Sequence, residues 1–321
     1  WMPFTGNRDY KKNPRMVVSA DGHHYTSSDG RKLYDGFSGL WTSGLGHCHP
    51  KIVDAVQQQV AHLDLCLTFQ FGNDRAFELA EKLTKFTPKG FGRCFFTNSG
   101  SESVDTALKI ALAFQRLQGH ENRTRLIGRH RGYHGVNFGG LSVGGIVRNK
   151  HGFSLSLPGV VHMRHTWLEE NRFSRGQPET GAELADDLQR FCDTYGANAI
   201  AACIVEPVAG SIGCLPPPTG YLERLREICT QNGILLIFDE VICGFGRLGT
   251  NFGADRFGVV PDIITMAKAT TNGIVPMGVV ACKEEIYDTL MDGSPKGTIE
   301  LFHGYTYSGI PVSVAAALAV Q

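Results

Sequence analysis

The sequence predicts an α/β protein built on a mostly parallel sheet, and three observations carry that reading. Short apolar runs recur along the chain: Cys94-Phe95-Phe96, Leu126-Ile127 after Arg125, Ala201 to Val205, Ile234 to Phe238, Ile263 to Met266 and Val279 to Ala281. Helical patterns separate them, such as Val104 to Leu117 and Tyr221 to Asn232. Strands apolar on both faces and alternating with helices belong to a sheet covered on both sides. The third observation is the 39 glycines among 321 residues. They exceed the usual share of about 7% and sit beside the apolar runs, where tight turns are needed.

Taken in order, the opening stretch through Gly46 reads as a small β meander. Its strand-like pieces are Arg15 to Ser19 and Lys32 to Asp35, with turn residues Ser28-Asp29-Gly30 between them. Pro50 opens an amphipathic helix carrying Ile52, Val53, Val56, Val60 and Leu63, and a second helix carries Phe77, Leu79, Ala80 and Leu83. The strand and helix alternation follows. The polar stretch Glu169 to Gly181 reads as an exposed connection and not a domain boundary.

Composition narrows the function. With 31 basic and 31 acidic side chains in balance, a broad electrostatic grip on nucleic acid is not expected. No apolar run approaches the roughly 20 residues of a membrane span, and Trp1-Met2-Pro3-Phe4 lacks the pattern of a signal peptide. A soluble cytoplasmic protein is the expectation, with no membrane partner. Nine cysteines without a C-x-x-C pair are a poor disulfide framework.

In open α/β sheets ligands sit at the carboxyl ends of strands, so the residues ending each run are the place to look. The first run ends in Thr97-Asn98-Ser99-Gly100-Ser101-Glu102 at a helix start. Free backbone N–H groups, a glycine and a hydroxyl suit a phosphate there, and a plain serine cap suits the same letters. Asp239 ends one central run and Lys268 follows another. A buried lysine beside apolar residues loses basicity and becomes a usable nucleophile, whereas a lone charge at a strand end can simply snorkel to solvent. Together, on the edge that carries the phosphate loop, the two suggest a cofactor with a cationic ring nitrogen, an aldehyde and a phosphate. Pyridoxal 5′-phosphate has all three.

Three patterns are set aside. Gly244-Phe245-Gly246-Arg247-Leu248-Gly249 matches G-x-G-x-x-G, but no helix is expected at Thr250-Asn251-Phe252-Gly253. Gly140-Leu141-Ser142-Val143-Gly144 matches a hydrolase elbow, but flexible backbone is expected around that serine. His47-Cys48-His49 lacks further ligands at metal spacing, so no metal is expected. Tyr133, held by glycines after the Leu126-Ile127 run, is suited to stack on a planar ring or to lie at the surface.

Six motifs in order resemble the class III pyridoxal-phosphate aminotransferases. They are Phe96 to Glu102, Arg131-Gly132-Tyr133-His134-Gly135, Val205-Glu206-Pro207, Phe238-Asp239-Glu240-Val241, Gly244-Phe245-Gly246-Arg247 and Met266-Ala267-Lys268. Trp1 to Thr5 and Asp35 to Trp41 look most like the ω-amino acid (β-alanine):pyruvate branch. The resemblance spans nearly the whole chain. It implies the large domain of a fold type I transferase with a seven-stranded sheet at 49–308, an N-terminal segment of an incomplete small domain at 1–48, and the start of a truncated C-terminal region at 309–321.

The resemblance also implies roles. Lys268 forms the Schiff base with the cofactor and shuttles the proton, and Asp239 keeps the pyridine nitrogen protonated. Tyr133 and Val241 lie on opposite ring faces, and Gly100 and Ser101 bind the phosphate. Ser99, His134 and Glu206 complete the cofactor set, while Trp41 and Phe69 line a roomy apolar substrate pocket. Thr306 resembles the residue that reaches the phosphate of the partner subunit, implying a homodimer, or a tetramer, with shared sites. The reaction implied is transamination between an ω-amino acid or amine and pyruvate. The alternatives are another reaction of the same cofactor (aminomutase, racemase or decarboxylase) and a non-catalytic remnant.

The chain departs from the family at Ile310, where histidine is usual, and at Ala269-Thr270. It stops within Ala315 to Gln321, short of the family's C-terminal domain and the substrate-carboxylate arginine of the β-alanine branch. Impaired catalysis is therefore expected of this chain, with Met16, Val18 and Leu33 left exposed on the meander.

Overall fold

A computed structural model of the protein describes residues 1–153 and 156–321. The N-terminal meander is the antiparallel trio β1 (Val17–Asp21), β2 (His24–Ser27) and β3 (Lys32–Tyr34). The middle strand, His24–Ser27, was not expected, nor was the helix Asn7–Lys12 that precedes the sheet. That helix buries no residue, so it carries no apolar stripe from which to read it. Met16, Val18 and Leu33 are exposed, as anticipated.

The main sheet contains β4 (Phe91–Thr97), β5 (Arg125–Arg129), β6 (Val161–Met163), β7 (Ile200–Val205), β8 (Leu235–Asp239), β9 (Ile263–Met266) and β10 (Gly278–Lys283). Their order across the sheet is β4-β10-β9-β8-β7-β5-β6. Every pair from β9 through β6 is parallel, and only β10 runs antiparallel to its neighbours.

Both faces are buried, and the side chains alternate between them with the period of a strand. Cys203, Val205, Leu236, Phe238, Ile264 and Met266 face one core layer with the helices Asp74–Phe86 and Tyr221–Asn232. Ala202, Ile204, Leu235, Ile237 and Ile263 face the other, against Val104, Ala107, Leu108 and Ala111 of the helix Gly100–Leu117. These last four recur at helical spacing, which is why that helix lies along the sheet with its first turn at the strand ends. No helix among the described residues is long and apolar enough to cross a membrane.

Two of the set-aside patterns look different in three dimensions. A short helix does begin at Gly253–Phe257, contrary to expectation. Its first N–H groups are already taken: Gly253 and Ala254 each donate at 2.8 Å to the Glu240 carboxylate. A dinucleotide phosphate would find no free donor at those two residues. Ser142 lies not in flexible backbone but in the short helix Phe138–Val143, fully buried, donating to the Phe138 carbonyl and accepting from Leu157 N–H. It is no exposed nucleophile. His47, in the third pattern, is bonded to Asp35 at 2.8 Å.

Glu240 allows a stability test. Burial pushes its carboxyl up to about 7 from an ordinary 4.5, outweighing the two N–H donors. A raised folded pKa means that the folded state holds the proton more tightly. The stability it contributes is fully present below about 4.5 and lost as pH rises through about 7. Glu240→Gln should flatten the pH dependence of chemical denaturation in that window. It should also cost about 1 to 3 kcal/mol, because an amide offers one acceptor oxygen to two buried N–H groups.

Candidate active site

A cavity of about 290 Å³ opens at the carboxyl ends of β4, β5, β7, β8 and β9. Each strand delivers chemistry to it through the residues that follow its last apolar position. The segment after β4 brings Ser99, Gly100 and Ser101, that after β5 brings Tyr133 and His134, and β7 is followed by Glu206. Asp239 ends β8, with Val241 just beyond it, and Lys268 lies two residues past β9. Ten of the twelve expected site residues are thus in the cavity or, for Trp41, against it.

Ser99 caps the helix Gly100–Leu117 by accepting from Glu102 N–H at 3.2 Å. The plain cap reading is therefore true of Ser99, and the two following N–H groups remain for a ligand, since a helix cannot satisfy its own first turn. Gly100 has to be small: a Cβ there would come within 3.1 Å of the Val241 methyls. The Ser101 hydroxyl accepts from Val136 N–H at 3.0 Å, leaving its own proton to donate.

Asp239 is only 5% exposed. Its Oδ1 accepts from Val241 N–H and the Thr265 hydroxyl, both at 3.2 Å, and its Oδ2 lies 2.8 Å from His134 Nδ1. The imidazole donates through Nδ1, and its buried Nε2 is without a partner among the described residues. Glu206 accepts from Tyr133 N–H and Gly210 N–H, both at 3.0 Å, and burial holds its carboxyl above the ordinary range. It thereby fixes the backbone that presents Tyr133. Burial raises the Tyr133 phenol pKa, and the charges of Asp239 and Glu206 add to the effect.

Lys268 sits with φ at +48°, in the left-handed region. Non-glycine residues enter that region at a cost that is commonly met at functional sites. Burial lowers its ammonium pKa while Asp239 opposes the shift, so the amine is easier to deprotonate than a surface lysine. Its Nζ lies 3.4 Å from the Leu40 carbonyl and 5.7 Å from the centre of the Trp41 ring. Ser38 to Trp41 all have positive φ, a turn that brings both groups over the lysine.

Two expected residues lie elsewhere. Phe69 is outside this cavity, in a separate surface hollow of about 610 Å³ with Phe302, His303 and Gly304. Thr306 is exposed on the loop beyond that hollow. Reasoning from strand ends missed Thr42, Thr271 and Val275-Pro276-Met277, which line the cavity as well. The last three precede the antiparallel β10, so they enter from an amino end, and only knowledge of that strand's direction would have found them.

Comparison with known proteins places this geometry. The family described as Aminotransferase class-III matches residues 5–320. An omega-aminotransferase of Caulobacter vibrioides is 58% identical over 320 residues, 99% of this chain and 73% of that protein. A beta-alanine–pyruvate aminotransferase of Pseudomonas aeruginosa is 51% identical over 321 residues, 99% and 71% of the two chains. Among solved structures, an amine transaminase from an uncultivated Pseudomonas species, in its PLP-bound form, superposes with a TM-score of 0.94 at 37% identity. That match covers 100% of this chain and 73% of the other.

Proposed function

The chain belongs to the class-III aminotransferases, which are pyridoxal-phosphate enzymes, and from that premise we propose that it moves an amino group from an ω-amino acid or amine to pyruvate. The observation that carries the reading is the meeting of Lys268, Asp239 and the Gly100-Ser101 helix start in one cavity. Those residues fit the cofactor: a buried carboxylate for a cationic ring nitrogen, an amine for the aldehyde, and N–H and hydroxyl donors for the phosphate. When bound, pyridoxal phosphate supplies an electron sink that stabilises negative charge on the substrate carbon.

The chain's own groups do the rest. Asp239 keeps a proton on the ring nitrogen by charge, and the His134 and Thr265 bonds stop the carboxylate from turning away. Lys268 Nζ holds the cofactor and then takes and returns the substrate proton, a task suited to an amine whose pKa burial has lowered. Tyr133 and Val241, which line the same cavity, would hold the cofactor's ring, and the Gly100 N–H, Ser101 N–H and Ser101 hydroxyl would supply donors for its phosphate. Trp41, against Lys268, covers the amine and helps exclude water. On this reading residues 49–308 are the cofactor domain, and the protein works in the cytoplasm.

Shared sites in a homodimer form part of the proposal. Thr306 and Phe69 do not enter their own cavity, and Phe69 and Phe302 are exposed at 47% and 88%. A partner subunit would cover this apolar hollow and receive both residues.

Incubating the cofactor-loaded protein with β-alanine or 1-phenylethylamine plus pyruvate should give alanine, read by chromatography. Racemisation of an amino acid without alanine formation would overturn transamination in favour of another reaction of the same cofactor.

A further inference from the structure

The helix that starts at the cavity also holds the loop carrying Thr306. His303 Nε2 lies 2.9 Å from Thr106 Oγ1, the Tyr305 hydroxyl lies 3.2 Å from the same atom, and Lys109 Nζ lies 3.4 Å from His303 Nδ1. The Tyr305 hydroxyl donates to the Glu102 carbonyl at 3.3 Å. Phe95 of β4 stacks on the imidazole with centroids 5.4 Å apart and planes 11° apart.

Lys109 fixes the direction of this chain of bonds. An ammonium can only donate, so His303 Nδ1 accepts and the neutral ring carries its proton on Nε2. Nε2–H then donates to Thr106 Oγ1, the Thr106 hydroxyl donates to Tyr305, and the phenol proton goes to the Glu102 carbonyl. Each donor is used once. Burial and the Lys109 charge hold the imidazole pKa below its ordinary value, with Glu102 opposing, in keeping with a neutral ring.

Tyr305 also begins the turn that displays Thr306. Ser308 N–H donates to the Tyr305 carbonyl at 3.0 Å, and Tyr305 N–H donates to the Ser308 hydroxyl at 3.3 Å. Thr306 follows the anchored residue directly.

We propose that His303 and Tyr305 are positioning residues that clamp the Thr306 turn to Thr106. The clamp ties the contact made to the partner subunit's phosphate to the same helix whose first turn binds this subunit's own. It rests on the shared-site reading above.

Cofactor dissociation constants of the assembled enzyme, measured by equilibrium dialysis, test it. Thr306→Val should weaken binding by about tenfold or more, the effect of losing one hydrogen bond to a charged group. His303→Ala should do nearly the same, and the double variant should be little worse than either single one. His303→Gln, whose amide can accept from Lys109 and donate to Thr106, should restore binding to near the original.

An effect of Thr306→Val without one from His303→Ala overturns the clamp and leaves shared sites standing. No effect of Thr306→Val removes the shared-site reading itself, and the clamp with it. Additive losses, or no rescue by glutamine, overturn the clamp by showing that His303 acts otherwise than through Thr306. If His303→Ala does not assemble, Tyr305→Phe, which removes only the hydroxyl, takes its place in the cycle with the same criteria.

Discussion

Lys268→Ala is expected to lower turnover by about 10⁴-fold or more while leaving the fold intact. The loss would combine the two roles proposed for one atom, holding the cofactor and moving the proton. Alanine fills none of that space, and Trp41 and the Leu40 carbonyl, which now lie against the amine, would face an empty corner. Folding should survive, because the side chain closes no core layer and removing it relieves a buried charge. Initial rates with saturating cofactor, beside a thermal melt, check both halves. A variant melting normally and retaining more than about a hundredth of the rate would mean that another group moves the proton.

The second large effect is expected from Asp239→Asn. A close ion pair at an effective dielectric near 20 is worth about 4 kcal/mol, so losing the charge should cost about 10³-fold in turnover. The substitution keeps the shape. It also sets an amide where Oδ2 now meets His134 Nδ1 at 2.8 Å and Oδ1 takes two donors, so one bond is lost or the amide flips. The rate should fall far more than cofactor affinity, because the phosphate donors at Gly100 and Ser101 are untouched. Separate measurement of turnover and cofactor dissociation decides it: a variant with unchanged turnover would show that the ring nitrogen needs no charged partner here.

The strands β4, β5, β7, β8, β9 and β10 are legible because each carries a short apolar run. Strand β6 has three residues, too few for a periodic signal. The helix Asp186–Tyr195 is amphipathic but mostly polar, and only Asp187, Leu188 and Cys192 of it are buried. The site was legible wherever a reactive residue ends an apolar run, as Asp239 and Lys268 do. His134 and Glu206 came from family resemblance alone, since nothing local says that a histidine will bond a carboxylate 105 positions away. The left-handed turn at Ser38 to Trp41 has no signal beyond one glycine among its four residues. Phe69 and Thr306 lie outside the cavity of this chain, and nothing in their sequence neighbourhoods announces it.

On the proposed function, Lys268 is the lysine that holds the cofactor. Reduction of the pyridoxal-phosphate-loaded protein with borohydride, followed by proteolysis and mass mapping, tests it directly. The phosphopyridoxyl group should appear on the peptide containing Lys268, and be absent from that peptide in the Lys268→Ala protein. Attachment to another lysine, such as the half-buried Lys150, or no attachment while the cofactor stays bound, would contradict it.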